Sequence, residues 1–180
     1  FTFSKTQDRA NKGIIFSIPY FQNKGIGLIS NSDDINTKSF GNKRLKIGYT
    51  GGTTSKKQID TLTYRYGKNY IKGKVFNNHN LLIKALKNGD IDMAIGDISR
   101  LVFETNEGDL YFSGYVPTKS AKIGDDYHIG ISPSRPELKI FFDNFIERYR
   151  NQINNLETKW LNASLQEAYQ LYYNNSSSKE

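Results

Sequence analysis

The residues of this chain best suited to chemistry are hydroxyls, one arginine and one aspartate, types that suit capture of a small charged guest. Gly51, Gly52, Thr53, Thr54 and Ser55 stand where the apolar run "KIGYT" gives way to a helical pattern. The glycines permit tight or left-handed backbone angles and close approach of a guest. One hydroxyl suffices to cap a helix, so the surplus matches a small anion held by free amides at a helix N-terminus. A capped helix after a flexible loop fits the same residues. Asp97 ends a second apolar run, "IDMAIGD", where a negative charge suits an ammonium. The turn and the aspartate together would fit a zwitterion. Arg9 follows Ser4 and Thr6 at the start of a short helix, where a cation is poorly matched to the helix dipole. Bidentate binding of a carboxylate would explain it; a solvated arginine would too.

These residues need a scaffold, and the apolar pattern supplies one. "GIGLIS" (25–30), "LKIGYT" (45–50), "IKGKVF" (71–76), "IDMAIGD" (91–97) and "YHIGIS" (127–132) read as strands. Helical spacing runs from Ser55 to Tyr66, with Gly67 to close it. It recurs after Asn80, a plausible cap, where Leu81, Leu82, Ala85 and Leu86 share a face and Gly89 stops the helix. "ISRLVFETN" follows as a third helix. Strands alternating with helices predict an α/β architecture with a parallel sheet. In such sheets ligands sit beyond the carboxyl ends of the strands, which is where the turn and Asp97 fall. After Pro136 a long amphipathic helix carries Leu138, Phe141, Phe142, Phe145, Ile146 and Tyr149 on one stripe, predicted to be buried. A further helical stretch holds Trp160 and Leu161, and "NNSSSKE" closes the sequence as a polar tail.

The 180 residues suffice for one domain or two small lobes. Hydrophobic residues make up 37% and charged residues 24%, a globular composition, and no apolar run reaches membrane-spanning length. With no cysteine, disulfides, thiol catalysis and thiolate metal sites are excluded. The start, "FTFSKTQDRA", is polar and reads as folded-domain sequence, as expected of a cytoplasmic chain or of a mature or trimmed product. Net charge is +7, but the lysines are scattered and no nucleic-acid motif accompanies them, so a solvated basic surface is expected and no nucleic-acid partner. His79 and His128 lack metal-ligand spacing, and Asp33–Asp34 and Asp125–Asp126 read as solvated turns. No hydrolase, metalloprotease, Walker or dinucleotide motif is present. No metal, cofactor or catalytic residue is expected.

In order along the chain, "SKTQDRANKGIIFSIPYF", "KIGYTGGTTS", "ALKNGDIDMAIGD", "YHIGISPSRPELKIFFDNFI" and "KWL" resemble segments of the family 3 extracellular solute-binding proteins. The resemblance runs from Ser4 to Leu161. It implies an α/β, two-lobed periplasmic-binding-protein-like fold of type II, with one lobe complete and the other partial. Residues 1–24 and 127–180 would form the partial lobe, residues 25–126 the complete one, with crossover hinge strands near 22–28 and 126–131. It further implies a polar amino acid captured by hinge closure, an extracytoplasmic, periplasmic setting, and the permease of an ABC importer as partner. Arg9 would clamp the ligand carboxylate, with hydrogen bonds from Ser4 and Thr2. Gly52, Thr53 and Thr54 would contact the same group from the other lobe, and Asp97 would pair with the ammonium. The family's first strand–helix–strand segment has no counterpart before Phe1. The resemblance therefore implies a fragment, or a separate polypeptide that supplies the N-terminal segment of the first lobe.

Two alternatives share the fold. One is the ligand-sensing domain of a membrane receptor such as a histidine kinase, to which "NASLQEAYQLYYNNSSSKE" would be a linker. The other is a cyclohexadienyl dehydratase-like enzyme, whose general acid would have to be Asp97.

Overall fold

A computed structural model describes residues 2–21, 25–105, 109–116 and 126–159. It divides the chain into two compact units. Residues 2–21 and 126–159 belong to the first, and residues 25–105 and 109–116 to the second.

The second unit is a five-stranded sheet with helices on both faces. Its strands are β3 (Ile26–Ser30), β4 (Leu45–Thr50), β5 (Ile71–Phe76), β6 (Met93–Asp97) and β7 (Tyr111–Tyr115), in the order β5-β4-β6-β3-β7. Strands β5, β4 and β6 are parallel, as the alternation of strands and helices predicts. Strand β3 runs antiparallel to both β6 and β7, so the sheet is mixed. The apolar run 26–30 announces a strand without announcing its direction.

Residues alternate between the faces because strand side chains do. Leu28, Ile47, Met93 and Ile95 join Ile59 and Leu62 of α2 (Ser55–Tyr66) in one core. Ile29 and Ala94 join Leu82, Ile83, Ala85 and Leu86 of α3 (His79–Lys87) and Leu101 of α4 (Ile98–Thr105) in the other. Helix α2 has the expected bounds, closed by Gly67 at φ +91°. In α3 the cap is Asn78, whose side chain accepts from the Leu81 amide, and Asn80 lies inside the helix. Leu81 is exposed and Ile83 takes its expected place inside. Strand β5 lies at the sheet edge and turns Lys72 and Lys74 to solvent.

The first unit is thinner. Strand β8 (Tyr127–Ile131) pairs antiparallel with β1 (Thr2–Ser4) on one side and β2 (Ile15–Phe16) on the other. Helix α1 (Gln7–Asn11) joins β1 to β2, and α5 (Glu137–Arg148) packs on β8 and on α6 (Arg150–Glu157). Asp143 of α5 accepts from the Ile18 amide at 2.8 Å and pairs with Lys139. Burial pushes the Asp143 carboxyl up, but those two donors outweigh it and hold it below the ordinary carboxylate value. The expected buried stripe of α5 divides. Ile146 is buried, Leu138 and Phe142 are half-buried, and Phe141, Phe145 and Tyr149 are exposed. The periodicity locates the apolar side of a helix; it does not supply a neighbour to cover it. Trp160, Leu161, the polar tail and Asp125 lie outside the described residues, as do Gln22, Asn23 and Lys24 of the expected crossover. Among the described residues no helix is long and apolar enough to cross a membrane.

Candidate functional site

The predicted residues fall on both units. Gly52, Thr53, Thr54 and Asp97 belong to the second, and Thr2, Ser4 and Arg9 to the first.

In the second unit the parallel register pairs Tyr49 of β4 with Ile95 of β6. Gly51 and Asp97 each follow two residues later, so the glycine turn and the aspartate leave the carboxyl ends of neighbouring strands. Helix α2 then packs against one face of the sheet and α4 against the other. Two connections that part to opposite faces open a crevice between them, the topological switch point at which α/β sheets bind ligands.

The turn is held from its edges. The Gly51 amide donates to the Phe76 carbonyl at 2.9 Å, and a Cβ on Gly51 would press Val75. Gly52 has φ +74°, a left-handed angle, and a Cβ there would meet nothing within 4 Å. Its glycine thus serves the backbone angle and leaves the approach open. Thr53 Oγ1 donates to the Thr50 carbonyl at 2.7 Å, which commits its single hydroxyl hydrogen to the turn. Thr54 occupies the N-cap of α2, yet its side chain makes no capping bond. The first amides of α2 therefore lack the usual hydroxyl acceptor, an arrangement suited to an anion. Asp97 is half-buried, pairs through its backbone with Ile26, and directly precedes α4. A carboxylate at that position is also favoured by the helix dipole.

In the first unit Arg9 Nη1 donates to the Ser4 carbonyl at 2.7 Å, which ties the guanidinium to β1. The Arg9 amide donates to Thr6 Oγ1, the N-cap of α1, at 3.3 Å. Helix α1 has five residues, so its first and last turns overlap and the expected clash of Arg9 with the helix dipole does not arise. Ser4 is buried, and Thr2 pairs with Ile129 of β8 through its backbone. A cleft of about 520 Å³ in this unit is lined by Pro19, Tyr20, Phe21, Asp126, Arg150, Asn154, Glu157 and Thr158. None of the predicted site residues lines it, and Arg150 there donates to the Pro19 carbonyl at 2.8 Å.

Sequence reasoning missed the supports: Phe76 and Val75 behind the turn, and the Ser4 carbonyl behind Arg9. The first needs the β4–β5 register, which no local pattern states. The second is a backbone atom, invisible to residue type.

No family model matches the chain, and no curated protein matches it in sequence. Solved structures match its fold. An ancestral arginine-binding protein bound to glutamine is 22% identical with a TM-score of 0.69, over 88% of this chain and 68% of its own. A Streptococcus pneumoniae amino acid ABC transporter substrate-binding protein bound to L-arginine is 24% identical with a TM-score of 0.68, over 90% and 66%. A Silicibacter pomeroyi periplasmic His/Glu/Gln/Arg/opine family-binding protein in complex with lysine is 21% identical with a TM-score of 0.67, over 88% and 66%. The chain thus spans about two thirds of the length of the structures it matches, and it shares their two-lobed α/β fold.

Proposed function

We propose that this chain, which has the fold of amino-acid substrate-binding proteins, captures a polar amino acid. In this reading Arg9 grips the α-carboxylate, with hydrogen bonds from Ser4 and Thr2. Gly52, Thr53, Thr54 and the first amides of α2 meet the same carboxylate. Asp97 holds the α-ammonium. The observation that carries the reading is the switch-point crevice between β4 and β6, where donors suited to an anion stand beside a carboxylate suited to a cation. A zwitterion taken out of water needs both ends satisfied, because an unpaired buried charge is costly. The similar proteins, named for amino-acid binding and ABC transport, support delivery to a membrane permease from an extracytoplasmic compartment. They equally support a binding role over an enzymatic one.

The test is a thermal-shift screen of the twenty amino acids on the natural gene product, followed by calorimetry. A true ligand at a hundredfold excess over its Kd stabilises by about 2.7 kcal/mol. Arg9→Ala and Asp97→Ala should each weaken binding by well over tenfold, on the order of 2–4 kcal/mol. No responding amino acid, or full affinity in both variants, rules this site out.

A further inference from the structure

In the second unit, the end of the sheet opposite the crevice is basic. Strands β4 and β5 begin there, about 16 Å along β4 from the glycine turn. Three stretches of chain meet at this end. Lys43, Arg44 and Lys46 lead into β4, Lys68 follows α2, and Lys72 and Lys74 lie on β5. The Leu45 amide donates to the Tyr70 carbonyl at 2.7 Å, which sets Lys43 and Arg44 beside residues 67–70. The parallel register places Lys46 directly across from Lys72. Lys74, two residues further along β5, shares their face. All six cations are exposed, and none makes an ion pair among the described residues. Lys74 Nζ lies over the Phe76 ring, 5.3 Å from its centroid, an apolar neighbour that leaves the charge uncompensated. Asp92 reaches this end too, where its Oδ2 accepts from the Lys46 amide at 2.7 Å, and it offsets one charge of the six.

Two features separate this surface from a coat of solvated lysines. Like charges set opposite each other on neighbouring strands destabilise a sheet. The Lys46–Lys72 pair is therefore a cost in the isolated fold, and an anionic partner turns it into a gain. The second feature is the tyrosines among the cations: Tyr64 in the last turns of α2 is 93% exposed, and Tyr70 40%. A ring with an apolar body and a hydroxyl tip suits the depth of lipid headgroups. Lysines bordering such rings suit the phosphates there. A folded acidic protein would call for fixed, directional pairs. Cations on flexible stems, drawn from three stretches of chain, fit a fluid field of phosphates instead.

We propose that these six cations, with Tyr64 and Tyr70, dock the protein on an anionic lipid membrane through headgroup phosphates. Such attraction acts within a Debye length, about 8 Å in physiological salt, so the surface lies against the headgroups. The crevice stands at the far end of the same strands and stays open in the docked protein. The inference uses neither the guest nor its proposed ligands, so it stands or falls apart from the ligand screen.

Cosedimentation of the purified protein with vesicles is the test. At about 50 mM salt, phosphatidylcholine vesicles with about 30% phosphatidylglycerol should bind at least about tenfold more tightly than pure phosphatidylcholine. About 0.5 M salt should abolish the difference. Combined Lys68→Gln, Lys72→Gln and Lys74→Gln should lower the anionic-vesicle affinity at least about tenfold. Combined Lys5→Gln, Lys12→Gln and Lys84→Gln, an equal loss of charge elsewhere, should lower it no more than about twofold. Each substituted lysine is exposed, so both variants keep the fold. Tyr64→Ser should weaken vesicle binding about threefold and leave binding to a DNA duplex unchanged. Asp97→Ala should bind the vesicles as the native protein does. Equal affinity for neutral and anionic vesicles overturns the proposal. So do equal losses in the two triple variants, since net charge alone would then account for binding. Tighter binding to the duplex than to the anionic vesicles also overturns it, since the partner would then be a nucleic acid.

Discussion

At the scale of single residues, His79 offers the sharpest prediction. It opens α3, and its Nε2 lies 2.7 Å from Glu104 Oε1 of α4. An ionised carboxylate only accepts, so Nε2 carries the hydrogen. Burial lowers the His79 pKa, and Arg100 lowers it further; the Glu104 bond opposes them and loses. A base with a lowered folded pKa binds fewer protons folded than unfolded, so its contribution is whole above the ordinary value of 6.5. It is lost as pH falls from there through the lowered value. Stability should drop with acid over that window by at most about 1.4 kcal/mol per pH unit from this group. Thermal unfolding of the native chain and of His79→Gln between pH 7.5 and about pH 5 checks it. Parallel curves would remove His79 from the account. The same scale shows what residue type hides: Thr53 and Thr54 look equivalent in sequence, yet one hydroxyl is engaged by its own turn and the other makes no capping bond.

Elements were more legible than their surroundings. The bounds of α2 and β5 follow from pattern and glycine placement, because local sterics set them. The direction of β3 does not follow, since an apolar run reads alike both ways, and the start of α3 slipped because two asparagines compete to cap it. The apolar stripe on α5 lies where the periodicity places it, but among its described residues only Ile146 is buried. Coverage is a tertiary fact, and a periodic sequence fixes only the face that needs it. Packing between elements yields a further prediction at Gly48 of β4. A Cβ there would come within 2.5 Å of both Leu82 and Ile91 and 2.9 Å of Phe76. Leu82 and Ile91 are fully buried, leaving them little room to retreat. Gly48→Ala should cost about 1–3 kcal/mol through overpacking. It would appear as a lower urea midpoint with an unchanged slope. An unchanged midpoint would show that α3 can yield.

For the whole molecule, the contrast between a filled second unit and a sparse first one governs dynamics. Opening free energies vary across a structure with buried apolar contact. In the purified chain, amides of β3, β4 and β6 should exchange slowest, and those of β1, α5 and α6 at least about a hundredfold faster, a gap of roughly 2.7 kcal/mol. Uniform protection measured by hydrogen exchange would contradict this ordering. The sequence pattern conveyed the α/β layering and which residues end the strands. That the chain holds one lobe whole and the other in part was legible from the ordered motifs of the resemblance and not from apolar periodicity, which marks the face an element buries and not the neighbour that covers it.

The lysines along β5 have one more effect. An outermost strand offers its backbone to any neighbouring molecule, and positive side chains there make two such edges repel. That repulsion reaches only about 8 Å in physiological salt and about 3 Å at 1 M. Concentrated stocks of this protein are therefore best kept at low ionic strength, where the fringe of Lys72 and Lys74 still acts as a guard against edge-to-edge aggregation.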